Sequence, residues 1–232
     1  MSFRSLALTA LISLIFGFTG AALWSVSGLG DNHTRAYLLE NPDLLPQMAE
    51  RYQQQQGADR LAGIEERVET PFPGAEFGNP DGSVTLVEFT DYACGYCRAS
   101  QEHVAQLVRD NPDLRVVIRE WPIFEGSEQA ALVALAAAKQ GRYRAFHDAM
   151  FAKGAPTEAA IAAAAAEAGV DMEKAGEFAA SAEARTELAS NTDLARQIGF
   201  GGTPSWVVGG QPFEGAIGVE ALQQAIDDAR NR

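Results

Sequence analysis

The chain has 232 residues, 47% of them hydrophobic, and a formal net charge of −13. This length suits one domain with an insertion or a small appendage, and the hydrophobic content is enough for a packed core. Because phosphate binding needs clustered Lys and Arg, the acidic balance without any basic stripe excludes nucleic acid as a partner. The two cysteines are only two residues apart, whereas a disulfide scaffold would spread more cysteines along the chain.

Residues 1–30 form a predicted export segment. Arg4 gives a positive start, residues 6–29 carry no charge, and Asp31 ends the apolar stretch. The stretch is long enough to cross a bilayer, which takes about 20 residues, and small residues at 19–21 also suit cleavage. A cleaved signal peptide and a retained membrane anchor therefore both stay open. Either one predicts that the rest of the chain lies in the periplasm or another extracytoplasmic space.

Residues 31–69 are polar and have a helical pattern. We expect a helix with Asn41 as its N-cap and Pro42 at its first position, ending near Gly57. A second amphipathic stretch follows around Leu61. This arm has too little core to fold alone, so we expect it either to pack on the main domain or to mediate homo-oligomerisation. A solvated spacer is the remaining alternative.

The main domain is predicted to occupy residues 70–232, after a turn-rich stretch at 70–82. Val84–Phe89 is rich in β-branched and apolar residues and predicts a buried strand. A helix from Cys94 to Asp110 and a second strand over Leu114–Glu120 follow. This strand–helix–strand order predicts a parallel pair with a right-handed crossover.

The remainder of the domain is mostly helical in pattern. A helical block occupies about residues 124–199 and is punctuated by Pro and Gly. Ser205–Val208 predicts a strand, and Gly209-Gly210 predicts a hairpin whose pairing resumes only after Gln211-Pro212. Val219–Arg230 closes the chain as a helix. The expected fold is an α/β domain in which an all-helical subdomain separates two halves of a small sheet.

The cysteine pair Cys94-Gly95-Tyr96-Cys97 lies at a predicted strand-to-helix junction. The first cysteine is at the helix N-terminus, where unpaired N–H groups and the helix dipole stabilise a thiolate. The thiolate is the nucleophile of thiol–disulfide exchange. We therefore expect Cys94 to react with substrate, and Cys97 to resolve the mixed disulfide.

Other uses of the pair are less well supported by the sequence. A structural zinc site needs about four ligands, and His33, His103 and His147 are not at ligand spacing, so no metal site is predicted. Haem attachment would need His directly after Cys97, where Arg98 stands. A structural disulfide across so short a loop would stabilise little. We expect His103 and His147 to lie on helix surfaces or to be half-buried, without a catalytic role.

These motifs carry a resemblance to the thioredoxin superfamily. Val84–Cys97 resembles its active-site strand and helix, Glu88 matches a buried acid six residues before the first cysteine, and Thr203-Pro204 matches its cis-proline loop. The helical block is similar to the insertion of DsbA-type proteins. The resemblance covers about residues 70–232. It extends to the periplasmic ScsC-like subgroup through three further segments: Tyr37–Pro42, Asn79–Gly82 and Arg119–Ile123.

The resemblance implies a thiol–disulfide oxidoreductase that forms, isomerises or reduces disulfides in extracytoplasmic proteins. It implies a redox-active disulfide between Cys94 and Cys97, with Glu88 as a proton shuttle for Cys97 and no bound cofactor. The implied partners are cysteine-containing protein substrates and a membrane redox partner that resets the cysteine pair. The residues implied to contact substrate are Tyr96, Thr203 and Pro204.

The direction of the reaction stays open at this point. The strongest oxidases of the family carry a His between the cysteines, and Tyr96 cannot supply its positive charge, so we expect a less oxidising pair. Gly95-Tyr96 with Thr203 before the proline is also similar to the DsbC-type isomerases, which act as oligomers. A function of another class, copper binding at the cysteine pair or a thiol-based chaperone without turnover, is the alternative.

Overall fold

The structure, a computed structural model, describes residues 3–26 and 29–231. It separates into two compact units, Met1–Gln53 and Gln54–Arg232. No helix within the described ranges is both long enough and apolar enough to cross a membrane. The first unit holds α1 (Phe3–Val26), α2 (Leu29–Glu40) and the beginning of α3 (Leu44–Leu61).

The helical arm is present, but two of its predicted boundaries are wrong. Asn41 does not start a helix: its backbone and side-chain N–H groups both donate to Tyr37 O, at 3.0 and 2.8 Å, so it caps the end of α2. Gly57 does not end α3, which continues to Leu61. Glycine inside a helix costs about 1 kcal/mol, yet a Cβ at Gly57 would lie 2.6 Å from the Pro212 ring. The close approach of the Pro212 ring explains why a glycine, and no larger residue, stands at position 57 of this helix.

Five strands form one mixed sheet with the order β1-β3-β2-β4-β5. Its central strands β2 and β3 are parallel, and the other neighbouring pairs are antiparallel. The bounds are β1 (Glu76–Gly78), β2 (Val84–Thr90), β3 (Leu114–Glu120), β4 (Ser205–Val208) and β5 (Gln211–Glu214). The predicted strands 84–89, 114–120 and 205–208 are all present, whereas β1 was not predicted.

The last hairpin differs from the prediction at its second strand. Pairing resumes at Gln211, which lies opposite Val208, and not after Pro212. Gly209 and Gly210 both have positive φ, 53° and 68°, which is what a two-residue hairpin turn between twisted strands requires. Pro212 is accommodated because β5 is the edge of the sheet, where a missing N–H leaves no ladder bond unmade.

The helical subdomain is inserted between β3 and β4, as predicted. It comprises α6 (Ser127–Lys139), α7 (Tyr143–Lys153), α8 (Glu158–Ala168), α9 (Met172–Ala179) and α10 (Ala182–Ile198). The other helices of the second unit are α4 (Glu65–Glu69), α5 (Gly95–Asp110) and α11 (Val219–Arg230). The fold is therefore an α/β thioredoxin-like domain with an all-helical insertion.

Two apolar clusters cover the two faces of the sheet. Leu86 of β2 belongs to the larger one, which includes α5, α11 and most of the insertion. Val87 and Phe89 of the same strand belong to the smaller one, with residues of α10. Leu61 and Val68 are fully buried in that smaller cluster. The end of the predicted arm thus packs on the domain and is not a solvated spacer there.

Candidate active site

The junction between β2 and α5 brings the two cysteines together. Cys94 is the N-cap of α5, and its sulfur accepts a hydrogen bond from the backbone N–H of Cys97 at 3.4 Å. Both cysteines are free and buried, and they approach to 3.5 Å. A pair of thiols at this separation needs only a small movement to form the S–S bond of about 2.05 Å.

The loop before β4 lies directly beside this pair. The Thr203–Pro204 peptide bond is cis, as expected from the sequence. The Cys94 thiol donates to the Thr203 carbonyl oxygen at 3.2 Å, and the Thr203 hydroxyl faces the Cys97 sulfur. The structure therefore brings together Cys94, Cys97 and the Thr203-Pro204 loop, residues that are far apart in sequence.

Cys97 lies in surroundings that favour its neutral thiol. Burial raises the pKa of Cys97 well above its ordinary value, and the nearby charge of Glu88 raises it further. The Thr203 hydroxyl opposes this effect only in part. The sulfur of Cys97 therefore needs a proton acceptor before it can attack, and a proton donor when it leaves a disulfide.

Glu88 on β2 is the buried carboxyl whose charge acts on Cys97. Its side chain is fully buried, and this burial raises the pKa of Glu88 to about 8. Its Oε1 atom accepts from Gln101 Nε2 at 3.5 Å. A carboxyl with a pKa near neutrality is suited to pass a proton in either direction. The expected buried acid is thus in place next to Cys97.

Sequence reasoning missed a set of buried polar side chains behind this site. Glu120 Oε1 accepts from the hydroxyls of Tyr92 at 2.9 Å and Tyr143 at 2.7 Å. The Tyr92 hydroxyl is also 3.0 Å from His147 Nδ1, and His147 Nε2 is 2.9 Å from Gln101 Oε1. His147 is fully buried, so the expectation that it is exposed or half-buried was wrong. The only sequence feature that could have indicated this buried set was the acidic residue at the end of the apolar strand Leu114–Glu120.

The surface around the cysteines is partly apolar. Tyr96 is 70% exposed, and Ile123 and Phe124 on the loop after β3 are also exposed. Asp91 fixes that loop, because its carboxylate accepts from the backbone N–H groups of Ile123 at 2.7 Å and Phe124 at 2.9 Å. Within residues 3–26 and 29–231, no three His, Cys, Asp or Glu side chains are grouped so as to hold a metal ion.

Solved structures with the same fold include a thioredoxin-like oxidoreductase from Silicibacter pomeroyi DSS-3. It is 40% identical, has a TM-score of 0.69, and the match covers 72% of this chain and 98% of that one. The catalytic domain of Proteus mirabilis ScsC is 23% identical, with a TM-score of 0.67 over 75% of this chain and 99% of its own. Salmonella enterica Typhimurium BcfH is 24% identical, with a TM-score of 0.69 over 92% and 99%. At these lower identities the likeness shows the fold.

Curated relatives match over a shorter share of their length. A Na(+)/H(+) antiporter NhaA 1 from Salinispora arenicola is 30% identical over 156 residues, which is 66% of this chain and 24% of the antiporter. The chain thus spans about a quarter of the curated relatives it matches. The model of the DSBA-like thioredoxin domain matches residues 85–227, a range that contains both cysteines, Glu88 and the Thr203-Pro204 loop. The chain therefore belongs to the DSBA-like thioredoxin domain family.

Proposed function

We propose that this protein is a dithiol–disulfide oxidoreductase that acts on cysteine-containing proteins outside the cytoplasm. The observation that carries the proposal is the position of the Cys94 sulfur, between the N-terminus of α5 and the Thr203 carbonyl oxygen. An extended substrate chain that pairs with the backbone of that loop brings its own sulfur to Cys94. Tyr96, Thr203 and Pro204 would contact such a substrate.

The exchange proceeds in two steps that balance in atoms and electrons. A substrate thiolate attacks the Cys94 sulfur of the Cys94–Cys97 disulfide. A bond forms between the substrate sulfur and the Cys94 sulfur, and the Cys97 sulfur leaves and takes a proton. A second substrate thiolate then attacks the substrate sulfur of this mixed disulfide, and Cys94 leaves as a thiolate. Two electrons pass from substrate to enzyme, and the reverse sequence reduces a substrate disulfide. Glu88 supplies or accepts the Cys97 proton.

The setting of the reaction is part of the same proposal. The N-terminal segment exports the chain, as a cleaved signal or as an anchor, and a membrane redox partner resets the cysteine pair. We also propose that the chain forms homo-oligomers through residues 31–69, because this arm carries exposed apolar side chains that a second copy could cover. The exposed side chains are Tyr37, Leu38, Leu39, Leu45, Met48 and Tyr52.

The reduction potential of the Cys94–Cys97 pair tests the proposal and gives its direction. It is measured by equilibration in glutathione buffers, with Cys97→Ser as the blank. Because Tyr96 stands where strong oxidases carry a His, we expect a value nearer to about −200 mV than to about −120 mV, which would favour isomerase or reductase activity. Absence of any reversible dithiol–disulfide couple would refute the proposal, and copper binding in that case would favour a metal-binding protein.

A further inference from the structure

A continuous row of buried hydrogen bonds connects the active-site carboxyl to a second carboxyl on the neighbouring strand. The Tyr92 hydroxyl lies 2.9 Å from Glu120 Oε1 and 3.0 Å from His147 Nδ1. His147 Nε2 lies 2.9 Å from Gln101 Oε1, and Gln101 Nε2 lies 3.5 Å from Glu88 Oε1. We call these five side chains the buried polar chain: Glu120, Tyr92, His147, Gln101 and Glu88.

The donors and acceptors of the buried polar chain decide which of its two carboxyls can be ionised. A neutral imidazole has one N–H donor and one acceptor nitrogen. With the Gln101 oxygen towards it, His147 Nε2 donates, so Nδ1 must accept from the Tyr92 hydroxyl. That uses the one proton of Tyr92, and its contact with Glu120 then requires a proton on Glu120. In this arrangement Gln101 donates to Glu88, which is the carboxylate.

The opposite arrangement keeps every contact along the row, but it gives up the hydrogen bond from Gln101 Nε2 to the Cys97 carbonyl oxygen at 3.3 Å. If Glu120 is the carboxylate, Tyr92 donates to it and His147 Nδ1 donates to Tyr92. His147 Nε2 then accepts from the Gln101 amide, whose two ends have exchanged places by a half-turn. The Gln101 amide oxygen now faces Glu88, so Glu88 must be protonated in order to donate a hydrogen bond to that oxygen. The two arrangements therefore couple the ends of the row: an ionised Glu88 requires a protonated Glu120, and an ionised Glu120 requires a protonated Glu88.

Burial disfavours ionisation along the whole row. It lowers the pKa of His147 to about 3, so the imidazole is neutral, and it raises the pKa of Glu120 to about 8. Two carboxylates on adjacent buried strands would also repel each other. Further groups act on the ends of the row: Asp91 and Tyr143 on Glu120, Thr90 and Arg144 on Glu88, and Arg144 on His147.

We propose that Glu120 sets the protonation of Glu88 through the buried polar chain, and thereby decides whether Glu88 acts as base or acid towards Cys97. This inference rests on the proposed function. When Cys97 closes on a mixed disulfide, its sulfur bonds to the Cys94 sulfur, the substrate sulfur leaves with the electron pair, and the Cys97 proton passes to the Glu88 carboxylate. When the Cys94–Cys97 bond opens, Cys97 takes a proton from protonated Glu88. Glu120 is a positioning residue that touches neither sulfur.

Glu120→Met isolates one of the two arrangements. Methionine cannot accept from Tyr92 as a carboxylate does, so Tyr92 donates to His147, and Glu88 accepts from Gln101 in the arrangement that allows it to be the carboxylate. We measure two rate constants with glutathione as the probe: opening of the Cys94–Cys97 disulfide, and closing of the Cys94–glutathione mixed disulfide. We expect Glu120→Met to slow opening about tenfold, and to change closing by less than about threefold.

Two tyrosine variants form a matched pair for a double-mutant cycle. The hydroxyls of Tyr92 and Tyr143 both lie within hydrogen-bond distance of Glu120 Oε1, at 2.9 and 2.7 Å, but only Tyr92 continues the row to His147. In a Tyr92→Phe background we expect Glu120→Met to lose its effect on the ratio of opening to closing. In a Tyr143→Phe background we expect the tenfold effect to persist. If Tyr92→Phe does not fold, Gln101→Leu cuts the row at its half-buried link.

Two outcomes separate this inference from the proposed function. If the wild-type pair neither opens nor closes with glutathione, the proposed function fails. The other outcome is that the wild-type pair exchanges, but Glu120→Met changes the ratio of opening to closing equally in the wild-type and Tyr92→Phe backgrounds. In that case Glu120 acts only through its charge. That result would overturn the inference and leave the oxidoreductase activity intact.

Discussion

The Cys94 sulfur lies 3.2 Å from the carbonyl oxygen of Thr203. The sulfur at the start of α5 is therefore in contact with backbone from the other half of the sheet, beyond the helical insertion. A substrate sulfur that reaches Cys94 must pass beside this carbonyl. Cys97 has no exposed surface, whereas Cys94 keeps 4% of its surface exposed. In the proposed exchange Cys94 therefore meets the substrate, and Cys97 acts only on Cys94.

This difference predicts the behaviour of serine variants. Cys97→Ser leaves the Cys94 nucleophile but removes the thiol that resolves the mixed disulfide, so covalent adducts with substrate proteins should accumulate. Non-reducing electrophoresis and intact-mass spectrometry measure the adducts. Cys94→Ser is the matched control and should form almost none. Equal adduct formation by the two variants would contradict the assignment.

The buried carboxyls predict an alkaline loss of stability. The pKa of Glu88 rises from 4.5 to about 8 on folding because the side chain is buried. The pKa of Glu120 rises to about 8 for the same reason. The folded state then binds more protons than the unfolded state between these values, so stability falls as pH rises through this window. We expect a slope of up to about 1.4 kcal/mol per pH unit for each carboxyl.

Urea unfolding of the reduced protein at several pH values measures that slope. Glu88→Gln and Glu120→Gln should each flatten it, because each removes one titrating group from the window. Glu102→Gln changes an exposed carboxyl and should leave the slope as in the wild type. An unchanged slope in both buried variants would show that these carboxyls do not titrate as inferred.

His147 predicts a separate loss of stability in acid. Burial lowers its pKa from 6.5 to about 3, so the unfolded state binds a proton in this range and the folded state does not. Stability should therefore fall as pH decreases from about 6.5 towards 3, by up to about 1.4 kcal/mol per pH unit. His147→Gln should reduce this acid slope, whereas the half-buried His103→Gln should not. Unfolding curves between these pH values decide the matter.

Arg119 predicts how firmly the segment before β1 is fixed to the sheet. Its guanidinium is buried and donates to the carbonyl oxygens of Arg67, Val68 and Thr70, and it pairs with Glu187 at 3.2 Å. Arg119→Met leaves these acceptors and a carboxylate without their donor, so we expect a loss of about 3 kcal/mol in the free energy of unfolding.

The neighbouring strand position supplies the control for Arg119. Arg115 lies on the same strand, pairs with Glu76 at 3.9 Å, and donates to Thr85 Oγ1 and to the Glu69 carbonyl oxygen, while remaining about a quarter exposed. Water can replace a donor at partly exposed groups, so Arg115→Met should cost clearly less than Arg119→Met, about 1 kcal/mol. Similar losses for the two variants in chemical denaturation would mean that the buried guanidinium has no special role.

The sequence patterns were informative where one local rule decides the structure. Apolar runs predicted β2 and β3, and the spacing of Cys94 and Cys97 predicted the pair at a helix start. β1 was missed because a three-residue edge strand next to Gly and Pro has no periodicity to detect. Asn41 was misplaced because the same side chain that caps a helix start can also cap the end of the preceding helix.

The buried polar residues were missed for a different reason. Tyr92, Glu120 and His147 are of types that usually reach the surface, and they come from three separate elements. Only the folded chain brings them together, with the Tyr92 hydroxyl between the other two. Nothing in the local pattern around His147 distinguishes it from a solvent-facing side chain on an amphipathic helix.

The inserted helices carry His147 on α7, in hydrogen-bond contact with Tyr92 and Gln101. The helical insertion therefore cannot be deleted without changing the buried residues next to the sheet. Its removal would strip Tyr92 and Gln101 of the imidazole between them, and would leave Glu120 without the Tyr143 hydroxyl. Over evolutionary time, residue changes on the inner face of α7 and at the ends of β2 and β3 should therefore be constrained together, because their side chains share one set of buried hydrogen bonds.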